Sequence, residues 1–397
     1  MSQNIDLEKL ISPIDISSFQ NVYFEKKPVL ISRNAPTYFN QLLSIKDINS
    51  YLERKDIRYP SVRLVKNGME LPQTEYQTNM PYGSQVFENL IENDRLFSLF
   101  NEGATMVFQA LHRVIPQLSL LCQNLERYFK FPLQTNIYLT PKSSQGFAAH
   151  FDNHDVFVLQ TYGSKIWKVY DSPEILPTKP FDKRNLFHSA PQIEVELKAG
   201  DTLYIPRGFV HEAVTTNNAS MHITLGLLTY TWIDAFRLLL DESHSIENFR
   251  HSFKWNDLSE NEMKETFSKL MNELLTIVSY DGLKKEFSKR SSKKRLTSDY
   301  NRLGDLINID TINSETSLRI RKEINFSIDK SADEVVLSFY NKSIKFPMYV
   351  TDTLETILSL PEIKVSHLNS NLDENGKIVL IKKLLTEGLL TINNDKV

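Results

Sequence analysis

The sequence predicts an α+β protein built around an antiparallel β-sandwich or barrel, with helices before and after it. Between 133 and about 229, short β-type runs follow one another with Pro and Gly between them: Thr135–Leu139, Val156–Gln160, Ile166–Tyr170, Ile193–Leu197, Thr202–Ile205 and His222–Leu228. Strands at this spacing, with no helix to cross over between them, pair antiparallel rather than building a parallel sheet. No Gly-rich phosphate loop interrupts them, which removes the common nucleotide-binding folds.

The flanks read differently. In the first 60 residues, Lys27–Ile31 and Ser61–Val65 read as strands and Asp47–Leu52 as part of an amphipathic helix. From about 84 to 130 the texture predicts helix, with Leu96, Leu99 and Phe100 on one face and Leu118, Leu121, Cys122 and Leu125 on another. Helical spacing returns in Trp232–Leu240 and Glu262–Val278, followed by a basic stretch holding Lys284, Lys285, Lys289, Arg290, Lys293, Lys294 and Arg295. That stretch reads as a solvated helix end or linker. After about 333 come strands Val335–Tyr340 and Ser343–Phe346, a helix Ile378–Glu387, a glycine stop and a short strand, the order of a small winged-helix module. The expected domains are 1–230, a mixed leading region with the β core; 231–300, helical; and 301–397, winged-helix-like.

Composition bounds what such a chain does. It has 397 residues, 46 Lys and Arg against 49 Asp and Glu, and one cysteine. The length predicts two to three domains with real cores. Near-neutral charge argues against a whole-protein nucleic-acid binder, so nucleic acid is not expected as a direct ligand. A lone Cys122 excludes an internal disulfide framework and a Cys-rich zinc site, and on the apolar helix face it reads as a small buried residue. The segment MSQNIDLEKLISPID has no basic stretch followed by an apolar run, so no signal peptide is expected; nor is a membrane helix. A cytoplasmic protein in a reducing compartment is the expectation.

Chemistry concentrates in Gln145–Asp152. In a strand, residues two apart share a face, so His150 and Asp152 can present an imidazole and a carboxylate to one point. His211, delivered by Pro206-Arg207-Gly208-Phe209-Val210, supplies a third donor from a later strand. Two imidazoles and a carboxylate are the facial set of non-haem Fe(II) oxygenases. A His-x-Asp alone is weak, and a strand-end histidine bonded to a neighbouring aspartate is the plainer alternative. Lys165, on the apolar run Ile166-Trp167-Lys168-Val169, adds weight. A lysine there either reaches for solvent or lies buried and needs an anionic partner, which a dicarboxylate co-substrate would provide. His154 is expected at the pocket mouth or in solvent rather than on a metal, and His112 and His188 are left to structural roles.

The stretches Gly103-Ala104-Thr105, Asn136–Pro141, Gln145–Asp152, Asp155–Gln160, Gly163–Trp167, Pro206–His211 and Met221–Thr224, in this order, resemble the JmjC-type ribosomal oxygenases of the cupin superfamily. The resemblance covers roughly 10 to 390 and implies a double-stranded β-helix, or jelly-roll, core with a helical dimerisation region and a C-terminal winged helix. It implies Fe(II) held by His150, Asp152 and His211, which would be the catalytic centre. Lys165 stands where the family anchors the side-chain carboxylate of 2-oxoglutarate. Asn136, His222 and Thr224 match positions around that co-substrate, and Tyr138 matches a position touching the substrate. Two places depart from the pattern: Ala149 precedes the first ligand where a Pro is frequent, and Gly226 stands where relatives commonly carry a substrate-contacting Ser.

The activity so implied uses O₂ and 2-oxoglutarate, releases succinate and CO₂, and hydroxylates a side-chain carbon of a protein or peptide, with ribosomal proteins among the candidates. A homodimer is implied as well. Hydroxylation of another peptide, such as a natural-product precursor, is a second reading. A non-catalytic, partner-binding cupin protein is a third, and the complete ligand set with Lys165 argues against it.

Overall fold

The computed structural model describes residues 5–393, apart from 180–189, 254–258, 278, 295–300, 322, 323, 325, 341, 369 and 370. His188 and Arg295 therefore lie outside the described residues. The chain divides into two compact units, Met1–Tyr230 and Thr231–Val397.

In the first unit the strands are β1 (Val29–Ile31), β2 (Val62–Lys66), β3 (Met69–Glu70), β4 (Gln77–Tyr82), β5 (Gln85–Ile91), β6 (Thr105–Gln109), β7 (Leu133–Thr140), β8 (Asp155–Tyr162), β9 (Ser164–Val169), β10 (Ile193–Lys198), β11 (Thr202–Ile205), β12 (His211–Val214) and β13 (Ser220–Leu227). The helices are α1 (Leu7–Ile11), α2 (Ile16–Ser18), α3 (Ile45–Leu52), α4 (Asn93–Asn101) and α5 (Pro116–Phe129). An eight-stranded sheet runs β1-β11-β8-β13-β7-β6-β2-β3, a three-stranded sheet runs β10-β9-β12, and β4 pairs with β5 alone. Every pairing is antiparallel.

The packing explains the sequence texture. β8 reads as a continuous apolar run because both of its faces are covered. Phe157 and Leu159 join one core with Leu10, Phe19, Leu64, Phe108, Leu118 and Leu125. Val156 and Val158 turn the other way and meet Trp167, Val169, Leu197 and Ala213 from the small sheet. The large sheet is thus roofed by helices on one side and by β10-β9-β12 on the other. Local signals fix the helix ends: Ser44 and Asp47 form a capping box on α3, and Pro116 opens α5. Gly163, at φ +61°, makes the tight turn from β8 to β9, where a Cβ would lie 1.9 Å from the Ala219 carbonyl oxygen.

One expectation fails here. The 84–130 region is not uniformly helical, because β5 and β6 lie within it. β5 turns back on β4 through Gly83-Ser84, Gly83 having φ +59°. A Gly-Ser pair between two β-type runs is a hairpin signal, and the apolar spacing further on masked it. The leucine stripe itself is as expected, with Leu118, Leu121, Cys122 and Leu125 buried on α5.

The second unit holds α6 (Trp232–Ser243), α7 (Glu260–Ile277), α8 (Tyr280–Lys294), α9 (Arg302–Ile307), α10 (Thr351–Ser359) and α11 (Glu374–Thr386). Its strands are β14 (Ser317–Ile320), β15 (Phe326–Lys330), β16 (Glu334–Phe339), β17 (Lys342–Pro347), β18 (Ile363–Lys364) and β19 (Leu390–Ile392). They form two three-stranded sheets, β18-β14-β19 and β15-β16-β17. Leu318, Val335, Leu337, Leu354, Ile357, Ile381 and Leu384 pack in a core of their own. Beneath it the buried Asp305 carboxylate accepts from Arg321, Thr391 and the Ile392 amide.

Candidate active site

Period-two alternation on the large sheet aims one row of side chains at the space under the small sheet. Tyr138 lies opposite His222, Asn136 opposite Thr224, and Gln134 opposite Gly226, across β7 and β13. On β13's other side Thr224 faces Val158 and Gly226 faces Val156. From the small sheet, Trp167 sits opposite Ala213, with Lys165 two residues earlier on β9. Asn136, Tyr138, Val156, Val158, Lys165, Trp167, Ala213, His222 and Thr224 line one cavity with His150, Asp152, His154 and His211, whereas Gln134 and Gly226 are not part of its lining.

His150, Asp152 and His211 each bring one donor atom to within 4.8 Å of the others, the one such group of three among the described residues. His211 Nε2 lies 3.8 Å from Asp152 Oδ2. The two imidazoles are held alike. His150 Nδ1 is 2.7 Å from the Ala148 carbonyl oxygen, and His211 Nδ1 is 3.0 Å from that of Phe209. Each ring therefore keeps Nδ1 protonated against the backbone and offers Nε2, the arrangement that orients metal-binding histidines. Burial, with His150 beside it, pushes His211 down to about 4, so at neutral pH it is the uncharged ligand form.

Geometry on one point departs from the sequence reading. His150 and Asp152 are not on a regular strand; they occupy the irregular segment between β7 and β8. His150 is fixed by a two-way backbone bridge to His211, His150 N–H to His211 O at 3.1 Å and His211 N–H to His150 O at 2.8 Å. Gly208 N–H donates to the Asp152 carbonyl oxygen at 3.0 Å. A second chain segment, not strand alternation, brings the donors together. The loop carrying His211 is anchored by Arg207, whose Nη1 meets Asp155 Oδ2 at 2.8 Å and Glu25 Oε1 at 2.7 Å. The Tyr204 hydroxyl donates to the other Asp155 oxygen.

Lys165 is 3% exposed. Its Nζ donates to Thr140 Oγ1 at 3.1 Å, and burial alone pushes its pKa down to about 7. Nearby, His222 Nδ1 and Trp167 Nε1 are buried without a partner. His222 stacks on Tyr138 at 4.9 Å, and burial with Lys165 close by holds it well below the usual histidine range. Burial, with Asp152 adding to it, pushes Tyr138 up to about 12. Thr224 Oγ1 donates to the Asn136 carbonyl oxygen at 3.1 Å. A cavity with a buried ammonium and orphaned polar nitrogens fits an anionic ligand. The donor set beside it fits a divalent iron.

Sequence reasoning passed over Thr140, although it is two residues from Tyr138 on the same strand face. It also passed over Glu212, which lines the cavity and accepts from the Tyr170 hydroxyl at 2.7 Å and Gln145 Nε2 at 3.3 Å. His112 packs structurally, with Nδ1 3.1 Å from Thr135 Oγ1, and burial takes it down to about 4.

The His/Asp/His set lies within residues 108–235, which match the JmjC domain family. Among curated proteins the chain is similar to bifunctional lysine-specific demethylase and histidyl-hydroxylase NO66. It is 31% identical to the Drosophila mojavensis protein over 229 residues, 56% of this chain and 24% of that one. The Dictyostelium discoideum protein is 31% identical over 251 residues, 61% of this chain and 46% of that one. The match thus spans less than half the length of these relatives. Among solved structures, the Escherichia coli ribosomal oxygenase YcfD superposes with a TM-score of 0.55 at 16% identity, covering 96% of this chain and 98% of that one. Its complex with cobalt and 2-oxoglutarate gives 0.53 at 17% identity, covering 96% and 99%. These likenesses extend the shared fold beyond the JmjC segment.

Proposed function

We propose that this chain is an Fe(II)- and 2-oxoglutarate-dependent oxygenase that hydroxylates a side-chain carbon of a protein or peptide, with ribosomal proteins the first substrates to test. The observation that carries it is the pairing, in one cavity, of a tethered His150/Asp152/His211 donor set with a buried Lys165 that has no carboxylate partner among the described residues. The names of the relatives, a histidyl-hydroxylase and a ribosomal oxygenase solved with cobalt and 2-oxoglutarate, support the same class.

In this reading His150 Nε2, His211 Nε2 and an Asp152 oxygen hold the iron, and Lys165 with Thr140 receives the distal carboxylate of 2-oxoglutarate. When bound, iron and co-substrate supply the oxidising power drawn from O₂, with succinate and CO₂ released. The chain's own contribution is positioning. The backbone tethers fix both rings before the metal arrives, so little ordering entropy is lost on binding. The cation end is dry, which strengthens the Lys165–carboxylate attraction. Tyr138, kept protonated by burial, can donate a hydrogen bond but not act as a base at neutral pH. Asn136, His222 and Thr224 wall the co-substrate and Tyr138 faces the substrate, while Gly226, expected there too, lies beneath the His154 ring.

The same reading assigns 231–300 to self-association. On α6 Trp232, Phe236 and Leu240 are 70%, 57% and 54% exposed at helical spacing, as are Phe267, Met271 and Leu275 on α7. Apolar rows of this kind mark an interface, and a second copy of the chain is the occupant we assign. Residues 301–397 read as a winged-helix-like module with a packing role. Lys342, Lys345 and Lys364 are each paired with a carboxylate, on Glu387, Glu334 and Glu315, which leaves little basic surface for nucleic acid. A reducing cytoplasm, which keeps iron ferrous, suits such an enzyme.

An anaerobic titration tests the core of this proposal. Fe(II) with 2-oxoglutarate should give a visible metal-to-ligand charge-transfer band that needs both components. A protein that binds neither would overturn it.

A further inference from the structure

His154, which lines the cavity, packs over Gly226 on β13, at the end away from Lys165. Lys165 contacts Thr140, six residues along β7 from Gln134, the cross-strand partner of Gly226. At roughly 3.3 Å per residue that separates the two ends by about 20 Å of strand. Gly226 takes an ordinary backbone conformation, so nothing in φ demands glycine there. What restricts the position is space, since a Cβ there would need the His154 or Gln134 side chain to give by a few tenths of an ångström. A Cβ at 226 would lie 3.0 Å from His154 Cε1, 3.2 Å from His154 Nδ1 and 3.3 Å from Gln134 Cγ. The His154 ring occupies the volume into which a β13 side chain would otherwise project. It is weakly held there, with Nε2 at 3.5 Å from Gln134 Nε2 as its polar contact and Nδ1 buried without a partner. A seated ring with an unpaired nitrogen, lining a ligand cavity, is a poor structural investment unless a ligand completes its hydrogen bonding.

We propose that His154 is the specificity-determining residue at the substrate end of this cavity, and that Gly226 is its seat. The imidazole, rather than a side chain from β13, contacts the target residue of a peptide substrate. It limits the room for that residue and selects one carrying a polar group able to bond a ring nitrogen. This rests on reading the cavity as an oxygenase site. His154 is a hydrogen-bonding wall, not a fourth metal ligand, since Asp152, His150 and His211 already form the compact donor set.

The pair can be tested by coupling. A library of synthetic peptides carrying each amino acid at a central position is incubated with Fe(II), 2-oxoglutarate and O₂, and scored by mass gain. His154→Ala should lower kcat/KM on the best wild-type peptide at least tenfold, mainly through KM, and admit larger central residues. Gly226→Ser should lower it similarly by displacing the ring. Adding His154→Ala to Gly226→Ser should then cost little more, or restore turnover of some peptides. Mn(II) and 2-oxoglutarate affinities, read by electron paramagnetic resonance and calorimetry, should stay within twofold in all three variants. Unchanged peptide selection in His154→Ala, strictly additive losses, or a wild type that binds Mn(II) and 2-oxoglutarate yet modifies no peptide would each overturn the assignment while leaving the oxygenase site standing. Loss of Mn(II) and 2-oxoglutarate binding in the wild type would instead remove the oxygenase reading, and this assignment with it.

Discussion

Lys165 shows most directly what burial does to a single residue. Its ammonium is dehydrated, with no ionic partner among the described residues, so its pKa falls from the usual 10.5 to about 7. The sign of the consequence follows from proton counting. Between about pH 7 and pH 10 the unfolded lysine holds a proton that the folded one has released, so stability rises with pH across that window. Lys165→Met should accordingly raise the melting temperature at pH 7 or below, measured without co-substrate; a lowered one would show the ammonium to be well paired. A bound carboxylate reverses the shift. Co-substrate binding at pH 8 should take up close to one proton and at pH 6 close to none, seen by calorimetry in buffers of different ionisation enthalpy. Lys165→Ala should raise the 2-oxoglutarate requirement at least tenfold with Mn(II) affinity kept. At the metal, His150→Ala or Asp152→Ala should abolish both Mn(II) binding and succinate formation while circular dichroism is unchanged. Retained turnover would mean that other donors hold the iron.

Among the elements, the loop before β12 decides whether the third donor arrives. Arg207 is 6% exposed and its guanidinium is shared between Asp155, at the start of β8, and Glu25. Without Asp155 the guanidinium keeps only Glu25, and the buried Tyr204 hydroxyl loses its acceptor. Asp155→Ala should therefore lower unfolding free energy by about 1–3 kcal/mol in urea titrations. It should also weaken Mn(II) binding, because the loop that presents His211 loses its anchor. The β8–β9 turn is a second pivot. Gly163→Ala places a methyl into the Ala219 carbonyl at a positive φ. A loss of more than about 2 kcal/mol is expected, since neither strain nor clash can relax without moving β13.

For the whole molecule, the exposed apolar rows on α6 and α7 set the prediction. A chain of 46.0 kDa should elute with twice that mass by light scattering. Phe236→Glu combined with Phe267→Glu should return it to a monomer without loss of Mn(II) binding. A wild-type monomer at micromolar concentration would remove the assignment of these helices.

Much of this was legible in the residues. The β texture of 133–229, the leucine stripe of α5 and the His150/Asp152/His211 set depend on local periodicity and residue chemistry, which sequence carries directly. So does Lys165, an ammonium on an apolar run. The hairpin of β4 and β5 was hidden because apolar spacing over 84–100 serves a short strand and a helix equally well. Sequence alone could number the donors but not say how they meet. His150 is held by the backbone of His211, some sixty residues away, and the loop between them is clamped by Arg207 on Asp155. Likewise, Gly226 and His154 are unremarkable apart, and only the pairing of β8 with β13 places the ring over the glycine. Periodicity and charge are properties of neighbours along the chain, so sequence determined them. Which nitrogen is free, which ammonium is dry and which glycine is a seat are matters of exclusion in three dimensions, and tertiary packing alone decided them.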